Sequence, residues 1–293
     1  MTPPTRGLVA MPADQYHADP CKEPSLSASI AHLLVSKSPA HAWLVHPRLG
    51  GKRRKATREM SHGTLVHALL LDTVEDSIAI IDADSYRSKA AQEERAAAEI
   101  DGKTPVLAKD FAAAKTTCVA VMEQLLDLGI RLTGVSEIAA FWQERADDGR
   151  MIQCRGMLDH LIMQDGIIYD LKTCRSAHPE AIRKHIEAYG YDIQATAYTR
   201  AIEQIHPELA GRVEYKWLFL ESDEPHCITP AEPAGTMQQL GALRWARAVN
   251  TWAQCTASNE WPPYVRDTAR IEASKWALEG VFADIEAEAE AQE

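Results

Sequence analysis

Residues 156–174, GMLDHLIMQDGIIYDLKTC, constrain the fold more tightly than any other stretch of the chain. Two apolar runs, Met157 to Met163 and Ile167 to Tyr169, flank Asp165-Gly166, and the second run is β-branched and aromatic. Such runs favour strands, and Asp-Gly between them favours a two-residue hairpin turn. With Asp165 and Gly166 as the turn, Gln164 faces Ile167, Leu161 faces Asp170 and Asp159 faces Lys172. Opposed residues, and residues two apart on one strand, share a face of the sheet. Asp159, Asp170 and Lys172 are therefore expected on one face, in a register that a turn of odd length would break. Charges on a hairpin are ordinarily its wet side. The spacing Asp-x10-Asp-x-Lys, with Gly156 three residues before the first acid, argues for more, because neighbouring carboxylates repel unless a cation lies between them. Oxygen donors of this kind suit Mg²⁺ or Mn²⁺. A lysine beside them suits holding a water or balancing charge in a phosphoryl transition state. On this reading, removing either acid relieves repulsion and leaves the metal-free protein no less stable.

The chain has 293 residues, of which 46% are hydrophobic, enough for a sizeable core and for one large domain or two small ones. No apolar run reaches membrane-spanning length, and the N-terminus lacks the basic flank and apolar segment of a secretory leader. Six scattered cysteines without a C-x-x-C pair point to reduced thiols and a cytoplasmic location, and away from a zinc knuckle, a disulfide scaffold or a cysteine-ligated iron–sulfur cluster. The formal net charge of −11 is unlike the basic footprint expected of a nucleic-acid binder. Part of it is local: the last fifteen residues hold six acids and no base, as in a solvated or frayed helix end. Conversely, GGKRRKATRE gathers Lys52, Arg53, Arg54, Lys55 and Arg58. A solvated loop and a basic arm that meets phosphates are both open readings of that segment.

The serines at 25, 27 and 29 offer N-caps for a helix reaching Lys37, and Pro39 stops it and begins another towards Val45. Further helices are expected over SHGTLVHALLLD, 86–100 and 109–128, the last with Val119, Met122, Leu125 and Leu126 as its core stripe. Strands are expected at 136–144, 151–163 and 167–173, forming a three-stranded meander, and again at 213–221. Helices over 179–188, 192–205 and 237–257 complete the pattern. This is a mixed α/β architecture on a small sheet. The boundaries are an N-terminal extension at 1–24 and a single domain at 25–265, with a helical part at 25–130 and a sheet core at 131–265. An acidic tail follows at 266–293.

Four further positions accompany the hairpin charges: His67 on an apolar helix, Glu137 at the start of the first meander strand, and Gln194 and Tyr198 four apart on one helix face. Singly, each reads as a core histidine, a solvated strand-end acid or an ordinary amphipathic pair. Their order is more specific. G-x3-H at 63–67, Glu137, R-G-x-x-D at 155–159, D-L-K at 170–172 and Q-x3-Y at 194–198 resemble the motif order of RecB-like nucleases of the PD-(D/E)XK superfamily. Within that group the chain is similar to the phage-type exonuclease VIII family, the nuclease domain of RecE. YHADP…SLSASIAHLL…SPAHAW and the late EWPPY also match, so the resemblance spans roughly residues 11 to 265.

The resemblance implies a restriction-endonuclease-like core. It implies His67, Asp159 and Asp170 as ligands of Mg²⁺, with Mn²⁺ as a substitute, and the Leu171 carbonyl as an addition. Lys172 then orients or activates the attacking water, Gln194 and Tyr198 position the site and the DNA backbone, and Glu137 borders it. Ser36 to Pro39 matches a region near the DNA end, and Lys52, Arg53, Arg54, Lys55 and Arg58 are expected to meet phosphates. Asp170 stands where many superfamily members carry Glu. The implied activity is exonucleolytic resection of double-stranded DNA ends, 5′ to 3′, with a RecT-like single-strand annealing partner and a homo-oligomer, as in related enzymes that form rings, concentrating basic residues inward. The rivals are a Cas4-like or structure-specific nuclease, against which the unclustered cysteines weigh, and a catalytically inactive DNA-binding recombination scaffold.

Overall fold

The computed structural model describes residues 4–52, 62–71, 73, 77–265 and 267–290. In chain order the first elements are β1 (Gly7–Ala10), α1 (Ala13–His17), α2 (Ala28–Ser36), α3 (Pro39–Val45) and α4 (His62–Leu70). A small parallel βαβ unit follows: β2 (Ile78–Ile81), α5 (Lys89–Ile100) and β3 (Thr104–Leu107). Then come α6 (Ala108–Asp127), β4 (Val135–Arg145), β5 (Met151–Ile162), β6 (Ile167–Cys174), α7 (Pro179–Tyr189), α8 (Tyr191–Ile205), β7 (Glu214–Glu221), β8 (Ile228–Ala231) and α9 (Gly235–Ser258). These belong to one compact unit, Met1–Trp261; Pro262–Glu293 is a second, which contains α10 (Lys275–Glu290).

The main sheet has six strands in the order β1-β4-β5-β6-β7-β8, antiparallel except between β6 and β7. The expected meander is its centre, with one further strand on the β4 side and two beyond β6. β1 and β8 are only four residues long, too short for a period-two pattern to announce them. β8 also carries Pro230, tolerated because the strand lies at the sheet edge. Alternation sorts β4 cleanly: Ala140 and Trp142 enter one core cluster, Ala139 and Phe141 another. On one side of the sheet pack α2, α7, α8 and α9, with Trp142, Trp217, Phe219 and Trp252 in the shared core. On the other side lie α4 and α6, against Tyr169, Leu171, Leu218 and Leu220.

Two expectations need correction here. In α6 the buried positions are Ala114, Thr117, Val121 and Leu125, whereas Val119, Met122 and Leu126 face outward. Leu125 was rightly placed, but the stripe turns on 114, 117, 121 and 125, one face of a 3.6-residue repeat. The β5–β6 connection has four residues, not two: the Gly166 N–H donates to the Ile162 carbonyl at 3.0 Å, and Gly166 takes φ +71°. Ile162 therefore pairs with Ile167 and His160 with Tyr169, two residues out of the expected register.

The N-terminal segment is clamped to β5 by a buried polar network. Asp19 accepts from the Ser25 N–H (2.9 Å) and hydroxyl (2.7 Å) and pairs with Arg155 at 3.1 Å. Arg155 also donates to the Ser25 carbonyl at 3.0 Å, and Leu26 forms a parallel bridge to Cys154. The HADP and SLSAS segments thus meet the Arg of R-G-x-x-D in a single network, the kind of arrangement that buried charges require.

Candidate functional site

Pairing between β5 and β6 covers only three steps, ending at His160 with Tyr169. Beyond that point the strands separate. The Leu171 N–H, outside the β5–β6 backbone ladder, donates instead to the Asp159 side chain, Oδ2, at 2.9 Å. Opposite Asp159, Glu137 takes φ +51° and drops out of the β4–β5 pairing, between Ser136 with His160 and Ile138 with Leu158. A non-glycine residue held left-handed inside a strand is strained, and such strain tends to collect at functional sites. Leu158 and Leu161 both enter the same core cluster, so side-chain alternation breaks at Asp159 and His160.

This break separates the charges expected on one face. Asp159 reaches α4, where its Oδ2 lies 3.1 Å from His67 Nε2. Asp170 reaches α8 on the other side of the sheet, where its Oδ1 accepts from Gln194 Nε2 at 2.7 Å. Lys172, two residues along β6, pairs with Asp170 Oδ2. His67 Nδ1 lies 3.8 Å from Glu137 Oε1. The donor atoms of His67, Glu137 and Asp159 all fall within 4.8 Å of one another. Among the described residues this is the group of histidine and acids able to hold a metal ion, and Asp170 is not part of it. One imidazole and two carboxylates in that space fit a hard divalent cation such as Mg²⁺ or Mn²⁺.

The electrostatics follow from crowding charges in a poorly solvated gap. For His67 burial opposes protonation, but Asp159 and Glu137 outweigh it, Lys172 opposing, and its pKa lies above the ordinary histidine value. Burial also raises Asp159, yet His67, Lys172 and the Leu171 N–H hold its carboxyl below the usual range. Glu137 is raised by burial and by Asp159, with His67 working against them. Asp170, only 1% exposed, is pushed up to about 6 by burial against the pull of Lys172. Lys172 is raised because Asp170 and Asp159 outweigh its burial. Its ammonium also sits 4.8 Å over the Tyr191 ring, a cation–π contact.

Glycines bring the helices this close. A Cβ on Gly156 would lie 2.3 Å from Tyr198 Cε1, so the glycine of R-G-x-x-D is the seat of the tyrosine of Q-x3-Y. A Cβ on Gly63 would lie 2.9 Å from Thr173 Oγ1, so the glycine of G-x3-H lets α4 approach β6 and set His67 beside Asp159.

The expected DNA contacts are placed less centrally. The Ser36 hydroxyl donates to the His32 carbonyl of its own helix at 2.7 Å. Lys52 is exposed, and Arg53, Arg54, Lys55 and Arg58 lie outside the described residues. The sequence reading did not assign roles to Tyr191, which carries the lysine ammonium, or to the Asp19–Ser25–Arg155 network. The recurrence of Arg155 in the R-G-x-x-D pattern pointed to the latter. The expectation that removing either acid leaves the metal-free protein no less stable runs against this geometry, because Asp170 is the buried partner of Lys172 and Gln194, and Asp159 that of His67 and the Leu171 N–H.

A solved structure shares the fold. The structure aligns with the "Putative exonuclease" of Eubacterium rectale at a TM-score of 0.59 and 10% identity, covering 92% of this chain and 98% of that one. A "phage related exonuclease" from Haemophilus somnus 129PT aligns at a TM-score of 0.33 and 10% identity, covering 80% and 96%. No curated protein matches the chain. Residues 29–269 match the family described as "PDDEXK-like domain of unknown function (DUF3799)". That span covers most of the chain and bears out the superfamily to which the motif order pointed: the protein belongs to this PDDEXK-like family.

Proposed function

We propose that the protein is a Mg²⁺-dependent exodeoxyribonuclease that degrades linear double-stranded DNA from its ends, 5′ to 3′, in the cytoplasm. The observation that carries this reading is the adjacency, at the fork between β5 and β6, of the His67–Glu137–Asp159 cluster and the Asp170–Lys172–Gln194 set, linked by the Leu171 N–H that donates to Asp159. Membership of a PDDEXK-like family and the fold match to a protein named as an exonuclease support it.

In this reading His67, Asp159 and Glu137 hold the cation, with Asp170 and the Leu171 carbonyl as the remaining candidates, and Mn²⁺ substitutes for Mg²⁺. When bound, the ion polarises a phosphate oxygen and lowers the pKa of a bound water. Lys172 supplies fixed positive charge where negative charge grows on the phosphate, and donates hydrogen bonds to hold the attacking water. Asp170 keeps that ammonium in place, Gln194 keeps Asp170 in place, and Tyr198 packs α8 onto Gly156 so that Gln194 reaches it. The single strands produced suit a RecT-like annealing partner. A homo-oligomeric ring with Lys52, Arg53, Arg54, Lys55 and Arg58 turned inward reconciles DNA binding with a net charge of −11.

The test incubates purified protein with linear and with covalently closed duplex, with and without Mg²⁺, using 5′- and 3′-labelled strands. Release of label from 5′ ends of linear DNA, only with Mg²⁺, is the expected result. Circles cut as fast as linear DNA indicate a structure-specific or endonucleolytic enzyme, and binding without cleavage indicates a scaffold; either outcome refutes the exonuclease.

A further inference from the structure

The helix pair α7–α8 is broken by Gly190, which takes φ +72°. A Cβ there would lie 2.3 Å from His32 Nδ1, so both the backbone conformation and the contact with α2 demand glycine. The break has a consequence for the residues on either side of it. Tyr189 ends α7 and Tyr191 begins α8, and their rings stack at 5.8 Å between centroids and 26° between planes. Tyr191 is backed by Phe219 at 6.2 Å and carries the Lys172 ammonium at 4.8 Å. Tyr189 is 59% exposed. An aromatic ladder therefore runs from the lysine of the proposed catalytic site to open solvent.

The ladder borders a cleft of about 310 Å³, which is also lined by Gln194, the residue that holds Asp170. Ligand clefts start at about this size. An exposed tyrosine is not by itself unusual, and its structural reading is a ring that merely covers Tyr191. Three features go beyond that. The backbone beside the ring is set by a glycine junction, the ring's stacking partner lies under the Lys172 ammonium, and both rings line a cleft also lined by Gln194, which holds Asp170. Aromatic rings set along a cationic track bind single-stranded nucleic acid by stacking on successive bases, whatever their sequence.

We infer that Tyr189, backed by Tyr191, is a stacking platform for a nucleobase of the strand being cut, one that has left the duplex next to the scissile phosphate. This rests on the nuclease reading above and adds to it a base site and its residue. It also implies that the terminal base pairs open before cleavage, because a paired and stacked base has no free face to offer. Every base has a π-face, so the platform is indifferent to sequence.

The experiment places 2-aminopurine at successive positions from the end of a linear duplex, without metal so that no cleavage occurs, and compares wild type, Tyr189→Phe and Tyr189→Leu. Binding of wild type and Tyr189→Phe should quench the fluorophore at one position near the end, and Tyr189→Leu should bind without that quench. With Mg²⁺, Tyr189→Leu should raise KM by on the order of tenfold. An abasic residue at the quenched position should close the gap between wild type and variant. Tyr189→Leu that keeps the quench, or a KM gap that persists on the abasic substrate, would refute the platform and leave the nuclease standing. A Tyr189-dependent quench in a protein that never cleaves DNA would refute the nuclease and leave the base site. Tyr189 is exposed, so its variants fold.

Discussion

Replacing Gly156 by alanine puts a methyl carbon 2.3 Å from Tyr198 Cε1, 2.9 Å from Cδ1 and 3.0 Å from Cζ. Carbon atoms in contact sit about 3.5–4.0 Å apart, so the ring must retreat by more than about 1 Å. It has little room, being buried and backed by Tyr215 at 6.4 Å between centroids. Overpacking of a closed core typically costs about 1–3 kcal/mol, and a clash this direct belongs at the upper end. Tyr198→Phe keeps the ring and should keep the whole penalty. Tyr198→Ala removes the ring, so adding Gly156→Ala to it should cost less than about 1 kcal/mol, a coupling of about 2 kcal/mol in a double-mutant cycle. Urea unfolding of the wild type, the three single variants and the two double variants measures this. An equal cost of Gly156→Ala in the wild-type and Tyr198→Ala backgrounds would refute the argument. Gln194 lies one turn before Tyr198 and holds Asp170, so nuclease activity should fall with the same ring displacement.

Asp170→Ala should destabilise the metal-free protein by about 3–5 kcal/mol, because it strands the Lys172 ammonium in a poorly solvated gap. Lys172→Ala should cost less, because Asp170, already raised by burial and then freed of the ammonium that holds it down, can take up a proton instead; the reverse order in chemical denaturation would contradict the pairing. His46 is buried beside Asp19 at 3.4 Å and against Trp252, with Arg155 and Arg48 nearby, and burial holds its pKa below the ordinary value. A depressed imidazole binds fewer protons folded than unfolded, so Tm should fall as pH drops below about 6.5, and His46→Gln should flatten that slope. Thermal melts from pH 7.5 to 5 check it, and an unchanged slope in the variant argues against His46 as the source.

The long elements were legible because each carries its own pattern. The helices over 28–36, 89–100, 179–189 and 191–205 have caps, a glycine or an apolar stripe in the chain itself. The fork was not, because it depends on where pairing stops rather than on where strands lie. Asp165-Gly166 correctly marked a turn, but two further residues, Met163 and Gln164, join the loop. Because the slip is even it left β6 facing as expected, with Asp170 and Lys172 together. Asp159 escaped the pattern because Glu137 adopts a left-handed backbone that no local preference of glutamate would suggest. Glu137 was consequently read as bordering the site, while the geometry sets it in the same cluster as His67 and Asp159. The Asp19–Ser25–Arg155 network links segments more than a hundred residues apart and has no periodic trace.

The most direct test of the account is the cleavage rate of Lys172→Ala on linear duplex, measured in a protein that still binds Mg²⁺. An ammonium has no lone pair for a metal, so the variant should keep the Mg²⁺-induced rise in Tm and keep DNA binding. Its single-turnover rate should fall by at least about two orders of magnitude, the scale of losing a positioned electrostatic group. Lys172→Arg should restore little, because a wide, forked guanidinium that stays protonated replaces a compact ammonium. A Lys172→Ala protein that degrades linear DNA at near the wild-type rate would contradict the assignment of this fork as a nuclease centre.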